Sequence, residues 1–273
     1  MTLIDGLVNL LYSKPSDLVT SLATVALKTG TPNTVYPISR LTDGDPATHF
    51  KTLNTDDVRV TFHFSGAQRL DGVWIPMYNW PAGTVVKFEG NTADSWPGTF
   101  SVSVTVPEFL GDMPRGLFIN LFDAVGYSAT GFEWWSLLAV NPGQVTSIGE
   151  VYLSQNVQGA RHLENDVSEN RARTVAVNQR EDGNTFRDDR GTDQLVFEGS
   201  VSVPWAEMKV LRSLWGSVHG EFTPFPIVFE VYEDQPEGVI VRWVSPWRST
   251  WDPSETKFKI DLVFDMVIRG RMP

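Results

Sequence analysis

At 273 residues, 41% hydrophobic and 12% aromatic, the chain is long enough for one large β domain or two smaller ones with real cores. Thirty-three acids against 22 bases give a formal charge of −11, which opposes binding to phosphate backbones and anionic lipid surfaces, so no nucleic acid partner is expected. The absence of cysteine excludes disulfide staples, a thiolate nucleophile and thiolate metal ligands, and points to folding in a reducing cytoplasm.

Residues 1–30 read as an N-terminal arm. Leu3, Ile4, Leu7, Val8, Leu10 and Leu11 suit a short amphipathic helix or an extended segment, either covering the sheet of its own domain or reaching a neighbouring subunit. Lys14-Pro15-Ser16-Asp17 then breaks the pattern. No basic stretch precedes the apolar residues, and Asp5 and Asn9 interrupt them, so neither a secretion signal nor a membrane span is expected.

From Thr31 short strands alternate with turns. Val58, Val60, Phe62 and Phe64 alternate with Arg59, Thr61, His63 and Ser65, and Phe100, Val102, Val104 and Val106 with Ser101, Ser103 and Thr105. That two-residue period marks strands with one face buried and one wet. Between them lie Val73-Trp74-Ile75 and Val85-Val86-Lys87-Phe88, each bounded by Gly, Pro or Asn. Two face-to-face sheets are the simplest fold for such a run. Glu133-Trp134-Trp135 reads as the strand closing this region, its aromatics in contact with the rest and Glu133 solvated or capping.

Ser147 to Leu153 is a further strand. Residues 161–190 form a polar insert of mixed charge, with only Val175-Ala176-Val177 strand-like. Two readings stay open for it: a long hairpin or loop ordered against a neighbouring subunit, or an exposed loop without a partner. Gln194 to Tyr232 then reads strand, helix, turn, strand. Leu195, Phe197, Gly199, Val201 and Val203 alternate; Pro204 opens a helix whose Trp205, Met208, Leu211 and Trp215 share one face; Gly216 stops it; and Ile227 begins the next strand. Gly238 to Val244 is another strand, Trp247 to Pro253 a polar aromatic loop, and Phe258, Ile260, Leu262, Phe264 and Met266 define the last strand. A helix laid on an antiparallel sheet is the expected α+β arrangement.

No catalytic constellation stands out. His49, His63, His162 and His219 lack metal-ligand spacing, His63 and His219 read as solvated, and no nucleophile elbow, phosphate loop or dinucleotide fingerprint is present. An enzyme is not expected. Tyr78, Trp80 and Trp96 suit either a stacking surface for a sugar ring or ordinary core contacts.

The run Leu41-Thr42-Asp43-Gly44-Asp45-Pro46-Ala47-Thr48-His49-Phe50, followed by Leu70-Asp71-Gly72-Val73-Trp74-Ile75 and Tyr78-Asn79-Trp80, resembles the discoidin or galactose-binding-like jelly roll. The resemblance covers about 31–155 and departs from the family in lacking a cysteine pair. It implies a β-sandwich over 31–145 whose end loops bind sugars or lipids, with Asn79 and Trp80 as ligand-binding residues. It also implies a structural calcium on Asp43 and Asp45, against the simpler reading in which Asp43 caps a tight turn. No other cofactor is implied.

The order of elements from 145 to 273 resembles the minor and distal tail proteins of long-tailed bacteriophages. That resemblance implies a tail-tube-like α+β domain over 146–273, and so a mainly β chain of two unlike parts. It further implies a structural virion protein of the tail tip or baseplate, made in the host cytoplasm, with six-fold self-assembly into a ring and with tail tube and hub proteins as partners. The alternative is a carbohydrate-binding module protein that recognises a cell-surface glycan.

Overall fold

The computed structural model describes residues 8–9, 22–43, 48–108, 116–121, 124–127, 130–154, 168–179, 185–217, 225–229, 237–244, 246–254 and 256–266. Asp45, His162, His219, the turn around Gly220 and Pro224, and all of the expected arm up to residue 21 except β1 (Val8–Asn9) lie outside the described residues. The described part is mainly β, in antiparallel sheets with one α-helix.

A jelly-roll sandwich is built from β2 (Leu22–Thr29), β3 (Phe50–Lys51), β4 (Val58–Gln68), β5 (Gly72–Ile75), β6 (Val85–Asn91), β7 (Phe100–Thr105), β8 (Leu117–Asn120), β9 (Phe132–Val140), β10 (Ser147–Ile148) and β11 (Tyr152–Ser154). One sheet runs in the order β2-β4-β9-β6-β7, a second in the order β11-β5-β8, and β3 pairs with β10. Alternation explains the layering. Val58, Val60, Phe62 and Phe64 of β4 are buried, as are Val86 and Phe88 of β6 and Trp135, Leu137 and Ala139 of β9, and they meet Val73, Ile75 and Ile119 from the smaller sheet. Trp135 stacks on Phe88 at 5.4 Å and takes Phe100 edge-on at 6.0 Å. Each such fully buried side chain contributes roughly 1.5–3 kcal/mol of transfer free energy.

Three strands lie outside the expected limits of this region. Leu22–Thr29, placed by the sequence in the arm, pairs with β4, and residues 147–154 pair with β3 and β5. The ladder between β2 and β4 shifts register twice, so the alternation of β2 is blurred and its burial irregular.

The remaining strands form a seven-stranded sheet: β1, β12 (Ser168–Gln179), β13 (Thr185–Val203), β14 (Phe225–Phe229), β15 (Glu237–Trp243), β16 (Ser249–Asp252) and β17 (Lys257–Met266). The order is β1-β14-β15-β17-β13-β12, with β16 also on β17. The described part of the polar insert is a hairpin whose ladder runs from Gln179↔Thr185 to Ser168↔Glu198. The helix α1 (Trp205–Ser217) buries Met208 and Leu211 as its period predicts, but Trp205, expected on the same face, is 52% exposed. Residues 249–252, expected in a loop, pair with β17 as an edge strand with little burial, which is why their pattern carries no strand signal.

Candidate functional site

Leu41 is buried and its carbonyl accepts the Val151 N–H at 2.8 Å, which anchors a 3-10 turn over Ile38–Leu41. The turn carries Arg40 on its outer side. Just before it, the Tyr36 carbonyl accepts the Lys51 N–H at 3.2 Å, tying the turn to β3. In β3 Phe50 points into the core, so its neighbours His49 and Lys51 are left half-buried at the surface.

These four side chains converge. The Tyr36 and His49 rings stack with centroids 4.7 Å apart and planes inclined by 22°. The Arg40 guanidinium lies 5.3 Å and the Lys51 ammonium 5.7 Å from the centre of the Tyr36 ring. Among the described residues neither cation has a carboxylate partner. Burial, then Lys51, then Arg40 push the His49 pKa below its ordinary value, so near neutral pH the imidazole is uncharged and offers one donor and one acceptor. Exposed Val35 adjoins Tyr36 in the chain, and exposed Leu53 follows two residues after Lys51.

The expected pair Asn79 and Trp80 sits beside this cluster and supports it. Lys51 lies opposite Ser147, and the Ser147 carbonyl accepts the Asn79 N–H at 3.1 Å. The Asn79 side chain accepts the Ser147 N–H at 2.8 Å and donates to the Val145 carbonyl at 2.7 Å, while Gln144 donates to the Asn79 carbonyl. Trp80 is 4% exposed, contacts Tyr78 at 5.2 Å and donates its indole N–H to Thr146 at 3.4 Å. Trp80 is thus a core residue with no open face for a sugar ring, and Asn79 is a bracket for the 145–147 strand.

Asp43 accepts the Thr48 hydroxyl at 2.8 Å. No group of three or more His, Asp or Glu side chains placed to hold a metal occurs among the described residues.

A second cluster covers the outer face of the five-stranded sheet. Arg59 donates to buried Glu89 and, at 2.7 Å, to Ser136. The Trp96 ring lies over Arg59 at 5.1 Å and donates to Asp94 at 3.1 Å, and Asp94 pairs with Lys28. Lys28 approaches Trp134 at 5.9 Å, Trp134 stacks on His63 at 4.0 Å, and His63 meets Glu133 at 3.0 Å. His63, read from the sequence as solvated, is a partner in this ladder, and so is Glu133.

No family model matches the chain, and no curated protein matches it. Among solved structures it is similar to chitosan-binding module 1 of a Paenibacillus sp. IK-5 chitosanase/glucanase, with 17% identity and a TM-score of 0.37 over 50% of this chain and 97% of that one. It is also similar to the family 32 carbohydrate-binding module of C. perfringens NanJ in complex with galactose, with 13% identity and a TM-score of 0.36 over 54% and 99%. XRCC1 bound to the DNA polymerase β catalytic domain matches at 10% identity and a TM-score of 0.35 over 54% and 98%.

Proposed function

We propose that the protein is a non-catalytic carbohydrate-binding protein that recognises a surface glycan through the Tyr36–Arg40–His49–Lys51 end of its jelly roll. One observation carries this reading: a stacked aromatic pair bordered by two cations with no carboxylate partner among the described residues. A pyranose offers an apolar C–H face to the face of an aromatic ring and hydroxyl oxygens to fixed donors, and this half-buried cluster holds groups of both kinds. Asn79 and Trp80 act here as the frame of the site. The test is a glycan array with the intact chain, followed by titration calorimetry on hits. Tyr36→Ala should weaken binding about tenfold or more, a loss of roughly 1.4 kcal/mol. An empty array, or a Tyr36→Ala variant with unchanged affinity, overturns the reading.

The open seven-stranded sheet favours a second reading, that of a structural component of a phage tail tip in which residues 146–273 form rings and the jelly roll faces outward. Among the described strands β12 has no neighbour on its far side, and β1 stands at the opposite end of the sheet. Pairing of such edges between copies satisfies backbone groups that a single sheet leaves open, and identical heterologous contacts close into rings. Negative-stain microscopy with light-scattering mass over a concentration series should show rings, and deletion of 161–190 should abolish them while the monomer stays folded. Rings that survive the deletion overturn the bridging role of the insert.

A further inference from the structure

We infer that the ligand of the Tyr36 site is an acidic sugar, bound through a carboxylate; this inference rests on the carbohydrate-binding reading above. Three other cations of the jelly roll meet acids: Lys28 meets Asp94, Arg59 meets Glu89, and Arg69 chelates Asp71 at 2.7 and 3.0 Å. Arg40 and Lys51 are different. Both lie within 5.7 Å of the same ring centre, and their ring contacts take the place that a carboxylate fills in the other pairs. Among the described residues the acids near these cations in the chain have partners of their own: Asp43 accepts from Thr48, Asp56 from Asn54, and Asp57 the Asn141 N–H.

Two like charges gathered on one ring repel one another. Burial is the largest cause of the lowered His49 pKa, and the charges of Lys51 and then Arg40 add to it. An anion seated between guanidinium and ammonium relieves the repulsion and gains two charge-assisted contacts, the guanidinium fork taking a carboxylate edge-on. The net charge of −11 opposes polyanions in general, so any preference for an acidic ligand must come from this local pair. Uronic acids and sialic acids carry the carboxylate on a pyranose, so one ligand can use both the aromatic and the cationic parts of the site.

The test is calorimetry of the full chain with four probes: tri-galacturonate and 3′-sialyllactose as the acidic arms, galactotriose and lactose as their neutral counterparts. One acidic probe should bind about tenfold or more tighter than its neutral counterpart. Raising salt from about 50 to about 500 mM should shrink that advantage several-fold. Arg40→Gln and Lys51→Gln should each weaken the acidic probe far more than its neutral counterpart, removing most of the acidic preference, and Arg40→Lys should keep part of it. Independently, the acidic probe should raise the His49 pKa followed by NMR, because the bound charge offsets Lys51 and Arg40. Neutral probes that bind as tightly as acidic ones overturn the acidic specificity and leave the carbohydrate reading standing. No binding by any of the four, together with an empty array, overturns both.

Discussion

Two clusters in the jelly roll use the same kinds of side chain to opposite ends. On the outer face of the five-stranded sheet, Trp96, Trp134, His63, Arg59 and Lys28 are interleaved with Glu89, Asp94 and Glu133, and each cation has its carboxylate. At the end of the sandwich, Tyr36, His49, Arg40 and Lys51 come together without one. Aromatic and cationic content is thus common to the two clusters, and counter-charge is what differs between them. A compensated cluster holds a loop to a sheet, and an uncompensated one has interaction capacity left for a ligand.

The largest expected effect lies in the compensated cluster. Glu89→Ala leaves the Arg59 guanidinium, 12% exposed, without its anion, and breaking a buried pair by removing one partner costs roughly 3–5 kcal/mol. Urea denaturation should show that loss, with glycan affinity per folded molecule unchanged. A cost below about 1 kcal/mol would mean that Ser136 and water suffice for Arg59, and the contrast between the clusters would fall. Gly131→Ala comes next. Gly131 has φ +77°, and a Cβ there would sit 2.0 Å from the Gln68 carbonyl oxygen, the acceptor that the Trp135 indole also uses at 3.2 Å. Strain of this kind costs of order 1–3 kcal/mol, read by the same denaturation.

A second buried acid sharpens the comparison through pH. Asp71, 1% exposed, accepts from Arg69 and from the Tyr127 hydroxyl. Burial, then Asp71, push the Tyr127 pKa up to about 12 from an ordinary 10. The folded state therefore keeps a proton that the unfolded chain loses first. The Tyr127 contribution is complete below pH 10 and lost as pH rises toward 12. Phenolate absorbance of the wild type minus that of Tyr127→Phe should show this late titration; a difference midpoint near 10 would refute it.

Much of the sandwich was legible because β4 and β7 turn alternate residues toward a single core, and that periodicity needs no partner information. The strands β2 and β16 were not, the first through its two register shifts and the second because an exposed edge strand with Ser249 and Thr250 carries no apolar face. The site was less legible still. Tyr36 and Lys51 are neighbours only because the 3-10 turn folds back on β3, and no spacing in the chain announces such a contact. Trp80 drew attention as an aromatic, but whether a tryptophan faces the core or solvent depends on strand register, which that stretch leaves open. The one local signal was the alternation around Phe50, which sends His49 and Lys51 outward together.

The smallest effects test the uncompensated cluster itself. Arg40→Gln and Lys51→Gln remove half-buried cations that stabilise no carboxylate, so stability should move by no more than about 0.5 kcal/mol, unlike Glu89→Ala. Each should instead raise the His49 pKa toward 6.5, Lys51→Gln more than Arg40→Gln, because burial, Lys51 and Arg40 lower it in that order. The sign for folding follows from the direction. With the native pKa below the unfolded one, the unfolded chain binds the proton first, so the His49 contribution is complete above pH 6.5 and lost as pH falls through the lowered value. NMR titration of the imidazole in wild type and both variants reads this directly. A His49 midpoint that ignores both substitutions would mean that the two cations do not crowd the ring, and the case for an anion between them would go with it.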